Sequence, residues 1–125
     1  MLNIVESNKT VQEVVDTIVE IAPNHKFGVL HIHKIQDTLK SKGFDLANEC
    51  QVIEICSPSV AIEFLTTDIT LSSILPCKIS VFTKDGKTNI SLNSLVQLVD
   101  DINPDLIDLA STAQDSLLKI IEEAK

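Results

Sequence analysis

Cys56 is the residue whose sequence surroundings most favour chemistry. It ends the apolar run at residues 51–56 and is followed by Ser57 and Pro58, a pair typical of a helix cap and first helical turn. Unpaired backbone N–H groups and the positive end of the helix dipole favour a thiolate at such a position. Alternatively, Cys56 is a small apolar residue that fills space beneath the turn. The sequence thus predicts either a reactive or ligating thiol, or a structural one.

A second cysteine, Cys77, begins the predicted strand at residues 77–83. If this strand runs antiparallel to the strand that ends at Cys56, the two sulfurs are able to meet. If the strands are parallel, the sulfurs lie a strand length apart, roughly 17–20 Å. The sequence spacing differs from Cys-x-x-Cys and has little specificity of its own. A redox pair or a two-thiolate metal site therefore requires the antiparallel arrangement.

Two histidines, His31 and His33, alternate with apolar residues on a predicted strand and project from one face, roughly 7 Å apart. Imidazole is a common metal ligand. We expect Glu54, Lys78 and Ser80 on the same face of the sheet. An antiparallel sheet often has one solvated face, so a metal or ligand site, a solvated surface and a dimer interface remain alternatives for these residues.

The other polar residues carry weaker signals. Cys50 and His25 are predicted in loops without partners, and we interpret both as incidental. The sequence contains no glycine-rich phosphate loop, Gly-x-Ser-x-Gly elbow or His-Glu-x-x-His motif. Four aspartates lack calcium-loop spacing and are expected to be solvated: Asp100, Asp101, Asp105 and Asp108.

The elements that position these residues follow from periodicity. Leu30 and Ile32 are expected on the buried face of their strand, and an Asp-Gly pair at residues 85–86 predicts a hairpin. Strands are predicted at residues 2–5, 27–33, 51–56, 77–83 and 88–92. Helices are predicted from Thr10 to Pro23, at 35–42, after Ser57, at 94–99 and after Asn103. The order predicts a single α+β domain at residues 1–125, with a mixed, largely antiparallel sheet, helices packed mainly on one face and a long C-terminal helix.

Composition restricts the partners. The formal net charge is −8 and all ten cationic residues are lysines, so the chain lacks the arginines and basic surface typical of nucleic-acid binding. No apolar run approaches the roughly 20 residues that span a bilayer. The start of the chain does not resemble a signal peptide, and three cysteines do not suggest a secreted disulfide framework. We therefore expect a cytoplasmic protein without nucleic-acid or membrane partners.

Three runs give the chain a family resemblance: FGVLHIHKIQDTLKSKGF, VIEICSPSVA and ILPCKISVFTKDGK. They resemble the bacterial and archaeal domain of unknown function 302 family, with its Gly-Val-Leu strand, Cys-Asn-Pro turn, Ala-bearing helix and Leu-Pro-Cys strand. Here the turn reads Cys-Ser-Pro at residues 56–58, Ala61 is in its expected place, and residues 75–77 match unchanged. The resemblance covers nearly the whole chain. It implies a small α+β domain and a homodimer, and it brings no settled activity.

These observations together predict a homodimeric binding module for a small ligand, a metal or a thiol-reactive species, centred on the turn at Cys56. One alternative is a thiol or redox protein that uses Cys56 with Cys77. Another is a structural interaction domain without chemistry. No particular cofactor follows from the sequence, and enzymatic activity stays open. The candidate site residues are Cys56, Cys77, Ser57, Pro58, His31, His33 and Glu54.

Overall fold

The computed structural model describes residues 2–125 and contains one five-stranded sheet that is antiparallel throughout. The strands are β1 (Leu2–Ser7), β2 (Gly28–Lys34), β3 (Cys50–Cys56), β4 (Cys77–Lys84) and β5 (Lys87–Asn93). The α-helices are α1 (Val11–Ile21), α2 (Ile35–Ser41), α3 (Pro58–Thr67), α4 (Leu95–Ile102) and α5 (Ile107–Ala124). Across the sheet the order is β1-β5-β4-β3-β2. The predicted α+β class is confirmed, and the sheet is wholly antiparallel rather than mixed.

The hydrophobic core lies between one face of the sheet and the helices. Alternate residues of the three central strands are fully buried on this face: Ile53, Ile55, Ile79, Val81 and Ile90. Helix α1 contributes Val14 and Ile18, and the long helix α5 contributes Leu117 and Ile120, all fully buried. The helical and strand periods of the sequence therefore point to the same core.

Two local signals in the sequence are confirmed in detail. Thr10 caps α1, since its hydroxyl accepts a hydrogen bond from the Glu13 backbone N–H while the Glu13 carboxylate accepts one from the Thr10 backbone. This is a complete capping box. The β4–β5 turn has positive φ angles at Asp85 (54°) and Gly86 (76°), the backbone that a tight hairpin turn requires.

The open face of the sheet is the face whose side chains point away from the helices. A row of paired residues crosses it from β1 to β2: Ile4, Ser91, Ser80, Val52 and His33. Leu2 and Ile4 at the β1 edge are 55% and 52% exposed. The predicted placement of Lys78 and Ser80 on the side opposite Ile79 is consistent with the burial of Ile79 and the exposure of Lys78.

The β2 strand departs from the predicted alternation. A register shift separates Val29, which pairs with Ile55, from His31, which pairs with Glu54. Leu30 is the extra residue of this β-bulge and is 62% exposed, so the expectation that Leu30 shares the buried face with Ile32 was wrong. A bulge inserts one unpaired residue and resets the alternation of the strand. His31 and His33 remain on one face as predicted.

The C-terminal region also differs slightly from prediction. Asn103 and Pro104 begin a short 3-10 helix (Pro104–Leu106), and α5 follows it. The Asn103 side chain accepts a hydrogen bond from the Asp105 backbone N–H, as a cap does. Within residues 2–125, no helix has the length and apolar character needed to cross a membrane.

Candidate functional site

The two cysteines of the candidate site lie at the same end of the sheet. Strands β3 and β4 are antiparallel, and Cys77 pairs with Ile55, the residue before Cys56. This is the arrangement that the sequence required for the two thiols to meet. Cys56 itself pairs with Gly28 on β2, next to the start of α3.

A small void lies between the two thiols and the helices, and its volume is about 10 Å³. Its surroundings are largely apolar. A cavity of this size holds one water molecule at most. The void therefore has no room for an organic ligand. Its lining includes Phe27, Cys56, Val60, Phe64, Cys77 and Leu95.

Burial holds both thiols in the neutral form. It raises the pKa of Cys77 from 9.0 to about 11, with a smaller contribution from the nearby Cys56. Burial also raises the pKa of Cys56. The direction is opposite to the one expected from the helix start, because desolvation disfavours the thiolate. Ser57 occupies the N-cap position of α3, yet its side chain makes no capping hydrogen bond.

A larger cleft adjoins the void and shares Leu75, Pro76, Cys77 and Leu95 with it. The volume of this cleft is about 200 Å³. An apolar cavity of about 150 Å³ is large enough to bind benzene, so the cleft can accept a molecule of that size or slightly larger. The cleft is lined by residues of two stretches of the chain, 73–78 and 93–98: Ser73, Ile74, Leu75, Pro76, Cys77, Lys78, Asn93, Leu95 and Leu98.

Sequence reasoning missed most of this cleft. It identified Cys77 and the Leu-Pro-Cys run, but Leu95 and Leu98 were interpreted only as part of a short helix. Helix α4 begins at Leu95, after Ser94 caps it by accepting a hydrogen bond from the Gln97 backbone N–H. The amphipathic spacing of Leu95, Leu98 and Val99 is the available signal, although it does not show what each residue faces.

The predicted histidine cluster forms on the open face. Nε2 of His33 lies 2.7 Å from Oε1 of Glu54, and the His31 and His33 rings meet edge to face with their centroids 4.4 Å apart. The hydrogen bond from His33 lowers the pKa of Glu54, and the charges of His33, His31 and Lys78 add to the effect. The histidines and Glu54 do not line the Cys77 cleft. Lys78 is common to the two places, since it is among the residues that line the cleft and its charge acts on Glu54.

The candidate metal ligands do not form a three-ligand set. Among residues 2–125, no three His, Cys, Asp or Glu side chains converge so that they could hold a metal ion. Cys50 and His25 were placed in loops without partners, and both placements were wrong. Cys50 is the first residue of β3, and His25 in a 3-10 turn lies 2.9 Å from a carboxylate oxygen of Glu123 on α5.

A second, polar cleft lies at the other end of β3 and has a volume of about 380 Å³. It is bordered by the start of α1, by α2 and by Gln51, whose amide nitrogen donates to Gln12. Within the described residues, Oε1 of Gln51 is a buried acceptor without a hydrogen-bond partner. Lys34, Asp37 and Glu49 bring charges of both signs to this cleft. None of the candidate residues except the incidental Cys50 lies there.

Comparisons with known proteins agree on one family. The family described as "Domain of unknown function DUF302" matches residues 3–124. A crystal structure of an uncharacterized conserved DUF302 protein from Bacillus stearothermophilus is 25% identical, with a TM-score of 0.94 over 99% of this chain and 98% of that chain. No curated protein matches the sequence. The resemblance drawn from the three sequence runs is thereby confirmed: the chain belongs to the DUF302 family, a domain of unknown function.

Proposed function

We propose that this protein is a binding module for a small, largely apolar ligand held in the cleft beside Cys77. The observation that carries the proposal is the apolar cleft of about 200 Å³ at the Cys56–Cys77 end of the sheet. Ligand sites are typically concave and mostly apolar, with a few polar groups at fixed positions. The cleft fits that description at a small scale.

The protonation of the thiols supports binding over thiolate chemistry. With a pKa of about 11, Cys77 is a neutral thiol at physiological pH, and a neutral thiol is a poor nucleophile. It is, however, a polarizable and nearly apolar surface that suits contact with a hydrocarbon group. The centre of the proposed site is therefore Cys77 and the neighbouring residues 74–76, with Cys56 behind them at the void.

A cleft-filling substitution tests the proposal. We expect hexanol, a small probe, to shift the backbone amide NMR signals of Leu75, Leu95 and Leu98 in a saturable titration. Leu98→Trp fills the cleft and should abolish these shifts. Ile62→Trp is the matched control, since Ile62 is a 59% exposed residue of α3 that does not line the cleft. Saturable shifts that persist in Leu98→Trp, or no shifts in the wild type, would contradict the proposal.

We also propose that two copies associate through the open face of the sheet. The face has exposed apolar residues at both edges: Leu2 and Ile4 on β1 and Leu30 at the β2 bulge. In a twofold pair whose axis runs parallel to the strands, β1 of one copy lies over β2 of the other. The β1 edge of each copy then meets the β2 edge of the other, so the same contact occurs twice in the pair. This is the self-complementarity that a symmetric dimer requires.

Light scattering coupled to size-exclusion chromatography measures this association. The wild type is expected at twice its 13.7 kDa monomer mass, and Ile4→Glu is expected to shift it to the monomer. Ile62→Glu places the same charge at a residue of similar exposure on α3 and should leave the dimer intact. A wild-type monomer at high protein concentration, or a dimer that survives Ile4→Glu, argues against the open face as the interface.

A second candidate function is a reversible dithiol–disulfide couple of Cys56 and Cys77. It is favoured by one observation, the antiparallel register that puts Cys77 opposite Ile55 and beside Cys56. Oxidation would form one S–S bond with loss of two protons and two electrons to an external disulfide such as oxidised glutathione. A mass loss of about 2 Da on incubation with that reagent, absent in Cys77→Val, supports this function. Formation of only a mixed disulfide, or no change in mass, removes it.

A further inference from the structure

The cleft lies where strands β4 and β5 part. Their pairing ends at Ile79 and Leu92, although β4 begins at Cys77 and β5 continues to residue 93. Each strand keeps its other neighbour at this end of the sheet, since Lys78 still pairs with β3 and Asn93 still pairs with β1. The next pair in the register of β4 with β5, Lys78 with Asn93, is therefore missing.

The side chains of Lys78 and Asn93 point away from the helices. Successive residues of a strand project from opposite faces of the sheet, and their neighbours Ile79 and Leu92 are buried in the core. The Lys78 and Asn93 side chains therefore lie on the open face. Both residues nevertheless line the cleft, and we infer that they do so with main-chain atoms.

The alternation of the ladder gives the direction of these main-chain groups. The backbone N–H and C=O of one residue point to the same neighbouring strand, and those of the next residue point to the other strand. The Thr83 N–H donates to the carbonyl of Glu49, the residue before β3. The odd-numbered residues of β4 thus face β3, so the main-chain groups of Lys78 face β5. By the same alternation, those of Asn93 face β4.

One donor and one acceptor lie nearest to the cleft. Within a residue the N–H is nearer the start of its strand and the carbonyl is nearer the end. Strand β4 starts beside the cleft and β5 ends there, so the outer groups are the Lys78 N–H and the Asn93 carbonyl. Among residues 2–125, no turn or loop carbonyl accepts a hydrogen bond from the Lys78 N–H. The polar end of the cleft is therefore neutral and has the two groups of an unmade strand pair.

We propose that the ligand of this cleft is a small primary carboxamide, whose carbonyl accepts a hydrogen bond from the Lys78 N–H and whose N–H donates to the Asn93 carbonyl. Its hydrocarbon part packs against Leu75, Leu95 and Leu98. This inference rests on the proposed binding function and specifies its ligand class. A carboxamide has both the donor and the acceptor of a peptide group, so it replaces the missing pair. The cleft volume of about 200 Å³ limits the hydrocarbon part to roughly the size of benzene or slightly more.

Other head groups match these two neutral groups less well. A carboxylate has acceptors only, so one of its oxygens would lie against the Asn93 carbonyl, and burying its charge carries a large desolvation cost. An ammonium has donors only and would leave the Lys78 N–H unpaired. A ketone accepts from the Lys78 N–H but leaves the Asn93 carbonyl without a donor. A polar group that is removed from water without a partner lowers the affinity.

The experiment titrates the whole protein with hexanamide, heptan-2-one and hexanoate and follows its amide NMR signals. The three probes share a pentyl chain on a carbonyl and differ in the third substituent, which is an amino group, a methyl group or a charged oxygen. We expect hexanamide to bind about fivefold more tightly than heptan-2-one, and hexanoate to bind weakest. Hexanamide should also move the Lys78 amide proton downfield and slow its exchange with solvent.

Two substitutions at one position separate the main chain from the side chain. Lys78→Ala keeps the N–H and should retain the preference for hexanamide. Lys78→Pro removes the N–H and should weaken hexanamide binding about fivefold. The bonds from β4 to β3 come from the odd-numbered residues, so Lys78→Pro leaves them in place. A dispersed amide spectrum checks that this variant folds; if it does not, the probe series and the wild-type Lys78 signal decide the question.

The outcomes separate the two proposals. Equal affinities for hexanamide and heptan-2-one, an unmoved Lys78 amide signal, or a preference that Lys78→Ala abolishes would refute the carboxamide inference and leave the apolar-ligand function standing. Hexanoate as the tightest probe would show that the cleft selects charge and would overturn the inference as well. Absence of saturable shifts with every probe would refute the proposed function itself.

Discussion

The buried thiol of Cys77 makes the stability of the protein depend on pH in the alkaline range. Its pKa is about 11 in the folded protein, against an ordinary value of 9.0. Well below pH 9 the thiol is protonated in both the folded and the unfolded chain, so its contribution to stability is fully present. Between pH 9 and about 11 the unfolded chain loses this proton first, which stabilises the unfolded state.

The size of the effect follows from the difference between the two pKa values. Two pKa units correspond to a limit of about 2.7 kcal/mol at about 1.36 kcal/mol per unit. At pH 10.5, before the folded protein has fully titrated, linkage gives a loss of about 2 kcal/mol relative to pH 8. This is a large share of the roughly 5–15 kcal/mol by which domains are stable.

Urea unfolding followed by far-UV circular dichroism measures the loss, since the chain has no Trp or Tyr to report by fluorescence. The free energy of unfolding of the wild type is compared with that of Cys77→Val at several pH values from 8 to 10.5, under reducing conditions. We expect Cys77→Val to lose about 2 kcal/mol less than the wild type over this interval. Cys77→Ala, which also removes the thiol but leaves a cavity, should be less stable at pH 8 and show the same reduced pH dependence.

Parallel pH curves for the wild type and Cys77→Val would refute the reasoning, because they would show that the thiol titrates alike in the folded and unfolded states. A wild-type curve that rises with pH relative to Cys77→Val would contradict the sign. Either result would also weaken the argument that Cys77 acts as a neutral, apolar surface of the cleft.

Three further predictions concern other parts of the fold. Thr10→Ala removes the capping box of α1 and should lower the free energy of unfolding by about 1 kcal/mol; an unchanged urea midpoint would contradict this. Gly86→Ala places a Cβ at φ 76° and should cost about 1–2 kcal/mol, whereas Gly86→Asn should cost less because Asn tolerates this backbone better. The pKa of Glu54 is lowered by His33, so its stabilising contribution is present above about pH 4.5 and is lost as the pH falls through the folded-state value. In Glu54→Gln the free energy of unfolding should therefore fall less at acid pH than it does in the wild type. An equal fall in both proteins would contradict a stabilising interaction between His33 and Glu54.

Local signals in the sequence were sufficient for several elements of the fold. The Thr10 capping box and the Asp85-Gly86 turn each depend on residues within four positions of one another, so their geometry is encoded locally. The β2 bulge at Leu30 was not predictable by the same means. A bulge is a property of the pairing between two strands, and the register with β3 is set by residues more than twenty positions away.

The candidate site shows the same division between local and distant causes. The helix start after Cys56 was correctly placed, and it favours a thiolate. The observed rise in the pKa of Cys56 comes from burial, in a region lined by Phe27, Phe64 and Leu95. These residues are distant in sequence, and their convergence follows from tertiary packing. The cleft was missed for the same reason, since its lining joins the segment before β4 to the start of α4.

The position of β1 has a consequence for the order in which the chain folds. Strands β2 to β5 each pair with a neighbour in sequence, whereas β1 pairs with β5, so that Leu2 meets Asn93 and Ser7 meets Thr88. The Ser7 hydroxyl also donates to the backbone carbonyl of Lys125, 118 residues later. Closing such long loops costs more entropy than pairing adjacent strands, and distant contacts slow folding. Although β1 is the first of the five strands in chain order, it is therefore expected to be the last to join the sheet.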